Sequence, residues 1–298
     1  MRILAIIVSY NFERWLSVCL NSIRESAAPL DVMVIDNHST DKTVQRIQTE
    51  YPEVRLIVNR TNLGFGVANN IGMNIALQEG YDAVFLLNQD AWIDSQTIGT
   101  LFQLSRKYPQ YGILSPVHLN GKGDALDHGF AVYAGVRTID ELPSGSVPVE
   151  CAFINAAFWM IPSAVLQTVG GFSPLFWHYG EDKDYINRLK YHGYSVGYSP
   201  SVFGFHDREC RTAMSRKMLF HTGKAYLLSE YANINYSFPQ ALGYGVLAGI
   251  QKALQSAAHG KLKDSGKYIS IAIDLLRQTP EVRKVRRETR HKKANYIQ

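Results

Sequence analysis

Four short apolar runs near the start of the chain, at residues 3–8, 32–35, 54–58 and 83–87, limit what it can fold into more than any other feature. They are brief and either β-branched or continuously apolar, with Arg55 the one interruption, the pattern of strands covered on both faces rather than the alternation of half-exposed ones. Between them the period changes to that of helices. Trp15, Val18, Cys19 and Ile23 recur at helical spacing, residues 41–51 open on the capping cluster Ser39-Thr40-Asp41, and residues 67–77 put Ile71, Ile75 and Ala76 on one face. Repeated strand-then-helix units build a mainly parallel sheet with helices on both sides, an α/β class. Ligands of such sheets bind beyond the carboxyl ends of the strands, so the residues just after each run are the ones to read for chemistry.

Those ends are Ser9-Tyr10-Asn11, Asp36-Asn37-His38-Ser39, Asn59-Arg60-Thr61-Asn62 and Asn88-Gln89-Asp90. Any one of them could be ordinary turn and capping chemistry. Four polar ends along one sheet edge are better explained by a shared polar cleft. Other nucleotide-binding loops are missing: Gly64-Phe65-Gly66 has Asn69 where a dinucleotide fingerprint needs its third glycine, and neither GxxxxGK[ST] nor GxSxG occurs.

Composition, at 46% hydrophobic and 19% charged, is that of a soluble globular protein, and 298 residues allow one large domain with an appendage. Cys19, Cys151 and Cys210 have no CxxC spacing, so neither a disulfide framework nor a thiolate zinc site is expected, and a reducing cytoplasm is the simplest home. The run at 3–8 is too short for a signal-peptide core, and the best apolar stretch, 241–250, stops at Gln251-Lys252, so no membrane span is expected. The net charge of +5 belongs to the end of the chain: residues 252–298 hold 12 Lys or Arg against 4 Asp or Glu, leaving the rest at −3. Such a tail could be a solvated helix surface or could meet an anionic partner. The expected partner is an anionic membrane surface, with the protein peripheral on its inner face, and not nucleic acid.

Beyond residue 112 the pattern breaks into shorter strands with Gly and Pro punctuation, and predicts mixed pairing and a mobile loop at 120–127. A helix is expected over 181–192, then a strand pair at 194–198 and 202–205. After residue 235 Ala, Leu, Gly, Lys and Arg dominate. The expected division is therefore a catalytic domain at 1–235 and a basic helical extension at 236–298.

Taken in order, Val8-Ser9-Tyr10-Asn11, Val34-Ile35-Asp36-Asn37-His38-Ser39-Thr40-Asp41, Asn62-Leu63-Gly64-Phe65-Gly66 with Asn69, and Leu86-Leu87-Asn88-Gln89-Asp90 form a combination. It continues with Gly170-Gly171-Phe172-Ser173, then Phe176-Trp177-His178-Tyr179-Gly180-Glu181-Asp182, Asp184-Tyr185 and Arg188, and ends at His206. Over residues 1–235 the chain resembles the family 2 glycosyltransferases, inverting nucleotide-sugar enzymes of GT-A fold, and especially their rhamnosyltransferase-like branch. The resemblance implies transfer of a sugar from a nucleotide-diphosphate donor to a hydroxyl of a saccharide or lipid-linked glycan. It implies donor binding by Ser9, Tyr10, Asn11, Asp36, Asn37, Gly66, Asn69, Asn88, Gln89 and Asp90, with Asp36 accepting the N–H of the base.

A leaving nucleoside diphosphate needs its charge neutralised by a divalent ion or by fixed cations. The family's DxD motif is Asn88-Gln89-Asp90 here, so Asp90 is the sure oxygen ligand for Mg²⁺ or Mn²⁺, with His206 resembling the family's later metal-side histidine. Lys224, Arg211 and Arg216 are further candidates for neutralising charge. The acceptor hydroxyl needs a base, and by resemblance this is Asp182. Trp177, Tyr179, Glu181 and Asp184 are expected to bind or orient the acceptor. Asp184 also fits a plain ion pair with Arg188 four residues on. Two other functions compete: an inactive GT-A carbohydrate-binding or scaffold protein, which the incomplete DxD favours, and a sugar-nucleotide nucleotidyltransferase, which needs a basic Gly-rich loop where Ser9-Tyr10-Asn11-Phe12-Glu13 has neither glycine nor lysine.

Overall fold

The computed structural model describes residues 1–208 and 215–297. Cys210 and Arg211 lie outside the described residues. The four apolar runs form strands β1 (Ile3–Ser9), β2 (Asp31–Asp36), β3 (Arg55–Val58) and β4 (Ala83–Asn88). All are parallel in the order β3-β2-β1-β4, and helices Leu16–Arg24, Thr43–Glu50 and Phe65–Gln78 connect them. Their hydrophobicity has a direct cause. Ile3, Ala5 and Ile7 point into one core with Phe85 and Leu87, whereas Leu4 and Ile6 point into the other with Val84 and Leu86.

The sheet continues through β5 (Ala91–Ile93), β6 (Tyr111–Asn120), β7 (Val149–Glu150), β8 (Phe158–Pro162) and β9 (Ser195–His206). Its order is β3-β2-β1-β4-β8-β6-β9-β5, with β7 on β9 and pairing that is mixed beyond β4. The expected strand pair at 194–205 is instead the single strand β9. The interruption at Pro200 is absorbed as a register shift on β6, between Pro116↔Ser199 and Val117↔Phe203. The segment expected as a mobile loop is a closed turn: Asn120 Nδ2 donates to Asp124 at 2.7 Å, the Asn120 N–H to the Ala125 carbonyl at 2.9 Å, and the Asp127 N–H to the His118 carbonyl at 2.9 Å.

A third apolar cluster joins Leu227, Leu228 and Tyr231 of helix Arg216–Ala232 to Val246, Ile271, Leu275 and Val282 of the helices that follow. Part of the basic tail is internal. Arg286 is buried and donates to the carbonyls of Tyr231, Asn233 and Tyr236, closing the end of helix Arg216–Ala232. Beyond it the chain returns to the sheet domain, where Ile297 enters the core of Leu4 and Ile6 and the Asn295 carbonyl accepts the Gly171 N–H at 2.8 Å. No helix among the described residues is long and apolar enough to cross a membrane.

Helix Glu181–Tyr191 is pinned by a buried ion pair, Arg188 Nε to Asp184 Oδ2 at 2.8 Å, with both residues 1% exposed. The other guanidinium nitrogens donate to the Val169 and Gly171 carbonyls at 2.9 and 2.8 Å. Removing one member of such a pair leaves an uncompensated charge, so Arg188→Met is expected to cost about 3–5 kcal/mol in urea unfolding. The double variant Asp184→Leu/Arg188→Met is expected to cost less than Arg188→Met alone, and a larger, additive loss would contradict the pairing.

Candidate active site

The carboxyl ends of β1, β2 and β4 are level because Ser9 pairs with Asp36 and Val8 with Asn88 across the parallel ladder. They floor a cavity of about 400 Å³ lined by Ser9, Tyr10, Asn37, Asn62, Gly64, Phe65, Asn88, Gln89 and Asp90, which Trp177 and His178 close from the second half. Its polar lining is fixed in place. Gln89 accepts the Tyr10 N–H at 2.7 Å and donates to the Tyr10 carbonyl at 3.2 Å, while Asn37 accepts from Asn59 at 2.9 Å and donates to the Gly64 carbonyl at 3.1 Å. Tyr10 and Trp177, 47% and 60% exposed, offer aromatic faces at the mouth. Gly64 has φ +80°, and a Cβ there would lie 2.2 Å from the Trp177 carbonyl oxygen, so only glycine lets that loop close down.

Other expected donor residues lie outside this lining. Asp36 is fully buried below it, accepting from Ser9 Oγ at 2.9 Å and from the Ser39 N–H at 2.9 Å and its hydroxyl. Asn69 is buried and donates to the Phe65 carbonyl at 3.0 Å. A Cβ on Gly66 would meet Phe172 Cβ at 2.8 Å, so its small size serves packing between the two halves. Asn11 is exposed on the rim at φ +53° and accepts the Thr40 N–H at 2.9 Å.

The short strand β5 explains how Asp90 meets His206. Its register on β9 sets Ala91 opposite His206, which brings His206 Nε2 to 3.2 Å from Asp90 Oδ1. The ring is fully buried; its Nδ1 has no hydrogen-bond partner, with Asp127 at 3.9 Å. One imidazole nitrogen and one carboxylate converging beside the cavity suit a divalent ion that takes its other ligands from a diphosphate and water, and Mn²⁺ tolerates the nitrogen better than Mg²⁺. Among the described residues no three His, Cys, Asp or Glu side chains converge on one point.

A second cavity, of about 300 Å³, shares Phe65, Asn88 and His178 with the first and is lined also by Tyr133, Asn155, Tyr179, Glu181, Asp182 and Arg208. Gly180, at φ +86°, ends the aromatic loop and starts helix Glu181–Tyr191, whose first turn carries Glu181 and Asp182. Asp182 is packed among protein atoms while touching the cavity, and desolvation pushes it up to about 6 despite the Lys183 N–H it accepts at 2.8 Å and the positive charge of Arg208. Burial, and then the charge of Asp182, push Glu181 up to about 8. Glu181 Oε2 has no hydrogen-bond partner. Near neutral pH the pair is therefore one carboxylate, Asp182, beside one neutral acid, Glu181.

Asp184 is not part of this group, since it faces the core against Arg188. Arg208, Tyr133 and Asn155 join the site without having been expected. Arg208 stands two residues after His206 and could have been sought there, with its Nε 3.6 Å from Asp127. The other two come from the irregular middle of the chain, which has no periodic signal. Lys224 is paired with Asp274 at 2.9 Å and Arg216 with Asp264, both within the helical layer.

Residues 4–129 match the model of glycosyl transferase family 2. An N-acetylglucosaminyl-diphospho-decaprenol L-rhamnosyltransferase of Mycobacterium tuberculosis is 25% identical over 213 residues, 60% of this chain and 67% of the relative. An undecaprenyl-phosphate mannosyltransferase of Micrococcus luteus is 30% identical over 109 residues, 36% of this chain and 45% of the relative. Among solved structures, Staphylococcus aureus TarS 1–349 in complex with UDP matches 97% of this chain and 88% of its own at TM-score 0.57 and 14% identity. GalNAc-T7 with UDP, GalNAc and Mn²⁺ matches 100% of this chain and 56% of its own at TM-score 0.63 and 12% identity. The chain is thus similar to family 2 glycosyltransferases over residues 4–129, to a rhamnosyltransferase among its relatives, and its whole length shares the GT-A fold.

Proposed function

We propose that this protein transfers a sugar, with inversion at the anomeric carbon, from a nucleoside diphosphate donor to a hydroxyl of a lipid-linked saccharide. One observation carries this reading: the carboxyl of Asp182 lies in a cavity that shares Phe65, Asn88 and His178 with the amide-lined cavity at the strand ends. The Mycobacterium relative is named for an acceptor of this kind, and TarS was solved with UDP.

The donor's base lies against Tyr10 and the amides of Asn37 and Asn62, and its diphosphate points toward Asp90 and His206. Asp90 and His206 would hold a divalent ion, which when bound would neutralise the leaving diphosphate. Asp182 takes the proton of the acceptor hydroxyl, the oxygen bonds to the anomeric carbon from the opposite side, and the bond to the diphosphate breaks with its electron pair. Neutral Glu181 donates a hydrogen bond to the acceptor, and Trp177 and Tyr179 stack on its ring. Asp36 acts by positioning Ser9 and Ser39 beneath the base. With a lipid-borne acceptor the protein would work at the inner face of a membrane. The incomplete DxD keeps one alternative alive, an inactive scaffold, and the absence of both donor hydrolysis and transfer with Mg²⁺ or Mn²⁺ would establish it.

Asp182→Asn is expected to lower turnover by about 10²- to 10⁴-fold while leaving donor affinity nearly unchanged, measured by initial rates and by donor titration. Turnover retained in Asp182→Asn but lost in Glu181→Gln would transfer the role to Glu181. For the wild type, kcat is expected to rise with pH through about 6 as Asp182 ionises. Stability should move the other way. Raised carboxyl pKa values mean that the folded state holds its protons more tightly than the unfolded state, so stability present below about 4.5 is lost as pH climbs toward about 8. Glu181→Gln is therefore expected to raise Tm relative to wild type at pH 8 and to leave it unchanged at pH 4.

Titrating UDP, GDP and dTDP with and without Mn²⁺ tests the donor side. Wild type is expected to bind one of them more tightly with Mn²⁺, and Asp90→Ala to lose that gain. Equal affinity in all four combinations would remove Asp90 from the role.

A further inference from the structure

The aromatic loop borders a third cavity that the transfer reaction does not use. It has a volume of about 550 Å³, and Trp177, His178 and Tyr179 form one wall. His178 lines all three cavities, so this one opens directly beside the proposed acceptor position. The opposite walls come from the start of helix Arg216–Ala232 and from helix Leu262–Arg277.

Its chemistry is two-sided. Lys217, Lys224 and Lys267 supply positive charge and hydrogen-bond donors and His221 a polar ring, while Met218, Phe220 and Ile271 supply apolar surface. Among the described residues no acidic side chain lines it. Asp274 holds Lys224 at 2.9 Å, whereas Lys217 and Lys267 have no ion pair among the described residues. Unpaired cations beside apolar walls fit a ligand that is anionic at one end and hydrocarbon at the other.

The surroundings continue the apolar part. Lys267 and Ser270 face the cavity, and Ile269 and Ile273, the next positions round the same helix, are exposed. Across the hairpin Ile250 and Leu254 are exposed as well, and a Cβ on Gly249 would lie 3.5 Å from Ala272 Cβ, which fixes the two helices side by side. An exposed apolar face thus adjoins the cationic cavity.

We propose that this third cavity binds the diphosphate of a lipid-linked acceptor through Lys217 and Lys267, with the first hydrocarbon units against Met218, Phe220 and Ile271. This rests on the glycosyltransferase reading above and adds the part of the acceptor that lies beyond the accepting sugar. The two lysines are then specificity-determining residues, since they select acceptors that carry phosphate and take no part in the bond exchange.

Farnesyl diphosphate tests the cavity without knowledge of the saccharide. Calorimetric titration is performed with Mn²⁺ and a saturating concentration of whichever of UDP, GDP or dTDP binds, so that the donor site is filled. Farnesyl diphosphate is expected to bind at least tenfold more tightly than either inorganic diphosphate or farnesol. Lys217→Glu/Lys267→Glu is expected to weaken it about tenfold or more while nucleotide affinity stays at the wild-type value, and Lys217→Arg/Lys267→Arg to restore it. Inorganic diphosphate binding as tightly as farnesyl diphosphate would make this a plain phosphate site, and farnesol binding as tightly would make it a hydrophobic one; either outcome overturns the proposal, as does unchanged affinity in the glutamate variant. Failure of every nucleoside diphosphate to bind the wild type would instead strike the donor-site reading, because farnesyl diphosphate is measured on its own ligand and its own residues.

Discussion

The buried guanidinium of Arg188 is the junction on which the rest of the structure depends. It holds Asp184 on its own helix and the carbonyls of Val169 and Gly171 on the preceding loop. The same loop is tied to the first half of the sheet domain, where Asn70 exchanges two hydrogen bonds with Phe172 at 2.9 and 2.7 Å, and to the end of the chain through Gly171 and Asn295. Three distant stretches of sequence therefore meet at the loop that this cation holds. A charge desolvated to this degree is stable only when nearly every donor is used, and so the arrangement specifies one geometry rather than a family of them. The first turn of helix Glu181–Tyr191, with its two cavity carboxylates, inherits that rigidity.

Desolvation acts differently at the two ends of this helix segment. At Asp184 burial still raises the carboxyl, the ion pair with Arg188 opposes it, and the group is structural. At Asp182 the compensation is partial, so the carboxylate keeps an affinity for protons that a solvated aspartate lacks. Glu181, one residue earlier, has only its own backbone to oppose burial and feels the charge of its neighbour in addition. Two adjacent acids thus separate in proton affinity because one environment is more enclosed than the other, which is the condition for assigning different roles to chemically similar groups.

Much of the first half was legible because its signals are local. Continuous apolar runs, capping residues and polar strand ends each depend on a few neighbouring residues, and they located the cleft formed by Ser9, Tyr10, Asn37 and Asn88-Gln89-Asp90. What the sequence could not reveal depends on register and burial. Nothing local distinguishes Asp36, turned under the floor against Ser9 and Ser39, from Asn37, turned into the cavity. Likewise β5 has only three residues, and its pairing with β9 is a long-range event, yet that pairing places Asp90 beside His206. The reading of 194–205 as two strands followed the proline at 200, whose lost donor the sheet accommodates with a bulge. Arg208 and Tyr133 come to Asp182 through tertiary packing alone.

The amide at position 88 follows from where that position sits. Asn88 is the strand-end residue that borders both the nucleotide-side cavity and the Asp182 cavity. A second carboxylate there would add negative charge beside a diphosphate on one side and beside Asp182 on the other. It would raise the Asp182 pKa further, away from the range in which a base is ionised at neutral pH. An amide lines both cavities without that cost and leaves Asp90, in contact with His206, as the acidic contribution of the triplet. The departure from DxD is thus consistent with a site in which two cavities share a wall, and in which the proposed base, Asp182, is kept ionised by limiting the number of like charges around it.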